Sequence, residues 1–150
     1  MANEVIWSEG TTLTLAATGT TASVSDGAVA ECTDDTRTAS DNTGYVLGKF
    51  EFKTASSGFS AAPTAGAVIN IYECKTDGTN YSPAVTTAYL NDYIGSFIVP
   101  ATDGATLYMR LIAPIYLDGA KYYIQWVDAG TASMDAGWEL KLTPITYGTA

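Results

Sequence analysis

The chain of 150 residues contains no histidine. That removes Ser-His-Asp and Cys-His nucleophile relays, His-ligated zinc, and the side chain that most often serves as a general base near neutral pH. Cysteine is scarce: there are two, Cys32 and Cys74. Two cysteines do not build a disulfide framework, and neither belongs to a Cys-x-x-Cys pair of the kind that holds zinc. Cys74 sits in an apolar run and reads as a small packed hydrophobe. A Cys32–Cys74 bridge stays open as an alternative. Charge is also low, 15% of residues against a usual share of about 25%. Positive charge is the scarcer sign, with 7 Lys and Arg against 16 Asp and Glu and a net charge of −9. The cations, Arg37, Lys49, Lys53, Lys75, Arg110, Lys121 and Lys141, are scattered along the chain, without the patch that phosphate neutralisation requires. Neither nucleic acid nor an anionic membrane surface is an expected partner, and the acidity reads first as a solubility device.

Long apolar runs are missing as well. No stretch approaches the ~20 apolar residues of a membrane helix. Residues 1–10 carry Glu4 and Glu9 and no basic segment ahead of an apolar core, so no secretory signal is read there. The expectation is a soluble protein made in a cytoplasm. Neither Gly-x-Gly-x-x-Gly nor Gly-x-x-x-x-Gly-Lys-Ser/Thr occurs, so no nucleotide cofactor is expected. Helical periodicity is absent too: no useful window places apolar residues at i, i+3, i+4 and i+7.

What the chain has is β chemistry. There are 10 Tyr and 14 Gly, and four Asp-Gly pairs, Asp26-Gly27, Asp77-Gly78, Asp103-Gly104 and Asp118-Gly119. Each pair signals a tight turn, because both residues tolerate positive φ. Strand-like runs lie at 4–7, 11–16, 27–32, 45–53, 67–74, 93–99, 106–112, 121–127 and 138–143. The run at 27–32 is weak. In the strongest of them Phe50 and Phe52 alternate with Lys49, Glu51 and Lys53; Tyr122, Ile124 and Trp126 alternate with Tyr123, Gln125 and Val127; and Trp138, Leu140 and Leu142 alternate with Glu139, Lys141 and Thr143. That is the period of half-buried antiparallel strands. The run at 67–74 is apolar on both faces and reads as a central strand. The expectation is an all-β fold, a single antiparallel β-sandwich or jelly-roll-like domain of about eight strands over residues 1–150, with residues 1–10 as a candidate N-terminal arm.

Few residues invite chemistry. Asp34, Asp35 and Asp41 share a polar loop, and Asp77 stands near Asn80. Both groups are candidate Ca²⁺ ligands, but neither matches an EF-hand loop, and turn capping accounts for them more simply. Glu51 and Glu139 fall on outward strand faces among lysines, where cross-strand ion pairing is the simplest role. No catalytic residue, metal ligand or cofactor is assigned, and the chain is read as a non-enzyme. Among the aromatics, Trp126 and Trp138 read as core; Trp7 stands near the N-terminus. Tyr81, Tyr89 and Tyr116 lie near loops and are candidate contact residues for a sugar or a protein.

The segment Cys74-Lys75-Thr76-Asp77-Gly78-Thr79-Asn80-Tyr81-Ser82 resembles small β-sandwich structural proteins of tailed bacteriophage virions. The likeness runs upstream to Ser40-Asp41-Asn42-Thr43. Downstream it takes in Ile94-Gly95-Ser96-Phe97-Ile98-Val99-Pro100, the 122–127 strand, and Leu142-Thr143-Pro144-Ile145-Thr146-Tyr147. It covers roughly residues 40–147 and carries no catalytic residue. The resemblance implies a virion component, first a capsid decoration (cement) protein that binds the major capsid protein lattice or other virion proteins, with a homotrimer as the implied oligomer. A tail, baseplate or fibre component comes next, and a carbohydrate-binding receptor-recognition module is the reading from a different class.

Overall fold

The computed structural model describes residues 5–42, 45–90, 92–102, 106–128 and 130–149. They form β1 (Val5–Glu9), β2 (Leu13–Ala16), β3 (Val29–Glu31), β4 (Arg37–Thr38), β5 (Leu47–Lys53), β6 (Val68–Lys75), β7 (Tyr93–Ile98), β8 (Tyr108–Pro114), β9 (Gly119–Val127) and β10 (Glu139–Thr149), with one 3-10 turn at Ala39–Asn42. The all-β expectation holds.

Two antiparallel sheets face each other. The first runs β1-β10-β5-β8, with β2 also on β10; the second runs β3-β9-β6-β7, with β4 also on β9. β1 and β2 lie in line along β10, opposite residues 145–149 and 140–142 respectively. β3 and β4 lie in line along β9 in the same way. Each in-line pair is one interrupted strand, so the ten segments make eight strands in two sheets. Numbered in chain order, the sheets read 1-8-3-6 and 2-7-4-5, which is the double Greek key of a jelly roll. Of the connections between these eight strands, β6 to β7 alone joins sheet neighbours; the others cross the sandwich. The turns between the strand-like runs therefore mostly encode sheet crossings. Gly27, Gly78 and Gly119 adopt positive φ at 73°, 94° and 123°, as their Asp-Gly pairs demand. Asp103-Gly104 lies outside the described residues.

The inner faces follow the alternation read from sequence. Phe50, Phe52, Leu140 and Leu142 meet Ile69, Ile71, Phe97, Tyr122, Ile124 and Trp126 in one core. Phe52 stacks on Trp138 with ring centroids 5.6 Å apart. One end is plugged by the loops around Phe59 and Met134: Phe59 stacks on Trp126 at 4.8 Å, and Met134 bridges to both Val24 and Phe59. The indole nitrogens find carbonyls, Trp126 Nε1 donating to Ala132 O and Trp138 Nε1 to Ala22 O.

β6 is apolar on both faces because the β6–β7 connection folds back over the outside of the second sheet. There Val85 packs with Tyr72, Cys74 and Tyr123 in a small separate cluster. Cys32 belongs to the main core and Cys74 to this outer cluster. Both are buried free thiols, so the bridge left open by the sequence is not formed. Cys74 Sγ donates to Ser82 O at 2.8 Å.

The N-terminal segment lies along its own chain. Residues 5–9 pair with 149–145 of β10, whereas β5 reaches only as far as Leu47 opposite Ile145. Residues 5–8 and 146–149 therefore form a two-stranded ribbon that continues past the end of β5.

Candidate functional site

The outer face of the first sheet carries a ladder of charge. In β5, alternation that sends Phe50 and Phe52 inward sends Lys49, Glu51 and Lys53 outward. Register then sets Lys53 beside Glu139 and Glu51 beside Lys141 on one side, and Lys53 beside Tyr108 and Glu51 beside Arg110 on the other. Arg110 Nε donates to Glu51 Oε1 at 2.9 Å, Lys141 Nζ lies 3.1 Å from Glu139, and Lys49 Nζ lies 2.7 Å from Glu9. Lys53 Nζ stands 5.7 Å from the Tyr108 ring centroid. The scattered cations of the sequence are thus gathered: Lys49, Lys53, Arg110 and Lys141 outnumber Glu9, Glu51 and Glu139 on this face, in a chain where acids outnumber bases more than twofold.

Between these side chains runs a groove of about 500 Å³, lined by Glu51, Lys53, Tyr108, Arg110, Glu139 and Lys141, with Phe52 and Met109 at its floor. Glu51 and Glu139 occupy diagonal positions across the β5–β10 pair, roughly 7–8 Å apart with their Cβ atoms somewhat closer. Each carboxylate is held by its own cation and neither is enclosed by apolar walls. The arrangement suits recognition through paired donors and acceptors.

A second surface borders this one. β7 and β8 are the terminal strands of their sheets, and they pack closely. A Cβ on Gly95 of β7 would fall 2.6 Å from Leu111 Cδ2 of β8, so any larger residue there would push the Leu111 side chain aside. Both strands expose large apolar side chains: Tyr93 56%, Ile98 75%, Tyr108 75% and Ile112 53%. Apart from Arg110 neither strand carries charge. Edge strands of soluble proteins are usually blunted by charge, proline or interruption. The opposite edge of this sandwich is blunted: its strands are broken in two. There Asp34 N donates to Leu15 O and Asp35 Oδ2 accepts from Thr14 N.

The acidic loop residues prove to be caps. Asp34 Oδ2 accepts from Ala17 N and Thr20 Oγ1, Asp41 Oδ2 from Thr38 N and Oγ1, and Asp77 Oδ1 from Thr79 N and Asn80 N. These bonds hold the carboxyls of Asp34 and Asp77 below their ordinary value. Among the described residues no group of three or more Cys, Asp or Glu could hold a metal ion. Trp126 and Trp138 are core residues, and Trp7 is exposed. Tyr81 lies under Lys121 Nζ at 5.1 Å and Tyr116 under Lys75 Nζ at 5.3 Å; Tyr89 is half-buried and bridges to Thr86. The sequence reading missed Tyr93 and Tyr108, because alternation assigns them a face without revealing that their strands end a sheet. The sequence also gives no sign that Arg37, one of the scattered cations, lies inside the fold. Arg37 is fully buried, with Nε donating to Tyr122 OH at 2.7 Å and Nη2 3.6 Å from Glu73.

Comparison with protein-family models, with curated proteins and with solved structures finds no match to this chain. Among the described residues no helix is long and apolar enough to cross a membrane.

Proposed function

We propose that this chain is a non-enzymatic structural component of a tailed-phage virion, a decoration protein that adds to the major capsid lattice as a homotrimer. The observation that carries the reading is the rim on β7 and β8, where Tyr93, Ile98, Tyr108 and Ile112 stand exposed on two adjoining edge strands whose one charged residue is Arg110. Large apolar side chains concentrated at one edge of a domain mark a place where another protein sits. The jelly roll agrees with this reading as an analogy of fold, since it recurs in viral capsid and lectin domains. The DGTNYS-centred likeness supplies the virion context.

The test is addition of purified protein to expanded, undecorated capsids. Saturation at a copy number that matches the lattice supports the reading, and sedimentation of the free protein reports the trimer. Ile98→Lys combined with Ile112→Lys should weaken capsid binding at least tenfold with the fold intact. Failure of the unmodified chain to bind expanded capsids overturns the proposal.

A further inference from the structure

We infer that the groove across β8, β5 and β10 is a binding site for a sugar that carries an acidic group, a uronic acid being the simplest case. The inference does not rest on the capsid reading, and the two surfaces meet at Tyr108.

Three features of the groove argue for it. Its volume of about 500 Å³ falls within the roughly 300–1,000 Å³ of small-molecule sites. Its wall is an alternation of acceptors and donors: the carboxylates of Glu51 and Glu139 accept, while Lys53, Arg110 and Lys141 donate. Hydroxyl groups both donate and accept, so a polyol satisfies such a lattice, and an extended peptide cannot add to the face of a sheet whose backbone groups are already paired. Tyr108, three-quarters exposed, presents an amphipathic ring, apolar on its face and polar at its tip, against which the C–H face of a sugar ring can lie.

The charge balance selects the acidic class. Arg110 uses Nε for Glu51, and among the described residues its two terminal amino groups have no hydrogen-bond partner. Lys53 faces the Tyr108 ring and likewise makes no ion pair among the described residues. A guanidinium fork and an ammonium flanking one aromatic ring form a receptor for a planar carboxylate attached to a sugar ring. The face is also where cations are concentrated in a chain of net charge −9, so an acidic ligand repelled elsewhere is drawn here.

The experiment is titration of the full chain with tetragalacturonate, beside maltotetraose as neutral sugar and tetra-aspartate as non-sugar polyanion. Binding is read by calorimetry and by amide shift mapping. Tetragalacturonate should saturate one site, with shifts confined to residues 51–53, 108–110 and 139–141. Maltotetraose and tetra-aspartate should each bind at least tenfold more weakly. Tyr108→Ala and Arg110→Ala should each weaken tetragalacturonate at least tenfold, while Thr87→Ala, exposed in the β6–β7 connection outside the groove, should leave it unchanged. The shift map needs no variant and stands whether or not each one folds. No saturation, shifts elsewhere, equal binding of tetra-aspartate (a charge effect alone), equal binding of maltotetraose, or an unaffected Tyr108→Ala would each overturn the inference.

Discussion

Arg37 and Glu73 place two opposite charges inside the sandwich. Burial pushes the Glu73 carboxyl up, and Arg37 pulls it back without cancelling the displacement. The pair is therefore a poor stabiliser for its position, although either member alone would be worse. Glu73→Ala, which leaves a buried guanidinium without its counter-ion, should cost about 3–5 kcal/mol, while the double change Arg37→Met with Glu73→Leu should be near neutral or stabilising. Denaturant melts of the single and double variants check this. Asp34 behaves in the opposite sense. Its bonds to Thr20 and Ala17 depress the folded carboxyl below the ordinary value of 3.8. A depressed acid contributes stability above its unfolded pKa and loses it as pH falls through the folded value. Asp34→Asn should thus melt below the unmodified chain at pH 6, and the gap should close on acidification below about pH 4. A gap that persists at pH 2 would contradict the role given to Asp34.

Among the elements, the β6–β7 connection acts as a flap over the second sheet. Val85 is its buried anchor, beside Cys74. Val85→Asp would bury an unpaired charge, so the flap should lift while the main core persists. Cys74 should then react with a thiol reagent at least tenfold faster, with Cys32 still protected; equal acceleration at both would indicate general unfolding instead. Strand positions and inward faces were legible because period two is a local property, as the 50–52, 122–126 and 138–142 alternations show. Strand ends were less so: β10 was expected to stop near Thr143 and continues to Thr149, carried past Pro144 by its pairing with β1. Pairing partners were not legible at all, because seven merged connections give no local sign of which sheet follows. The groove depends on those partners. Glu51 and Glu139 were correctly faced outward, but Tyr108 and Arg110 join them only through the β5–β8 register.

At the scale of the molecule, the sequence reading of a non-basic, acidic protein is correct in total charge and incomplete in its distribution. Folding gathers four of seven cations onto one sheet face and hides a fifth, Arg37, in the core. No composition argument reaches that, since β5, β8 and β10 lie far apart in the chain. The terminal ribbon has a further consequence. Val5 and Thr149, the first and last described residues, are register partners and lie within one strand spacing, about 4.7–4.9 Å. A short Gly-Ser linker should therefore join them, and new ends can be opened at Gly78-Thr79, in an exposed turn of the kind where chain breaks are best tolerated. Such a circular permutant should keep the jelly roll, as judged by near-ultraviolet dichroism of its buried tryptophans. It would have lost the one local hairpin, so it should also refold more slowly than the parent, making the order in which the strands are threaded a measurable property of this topology.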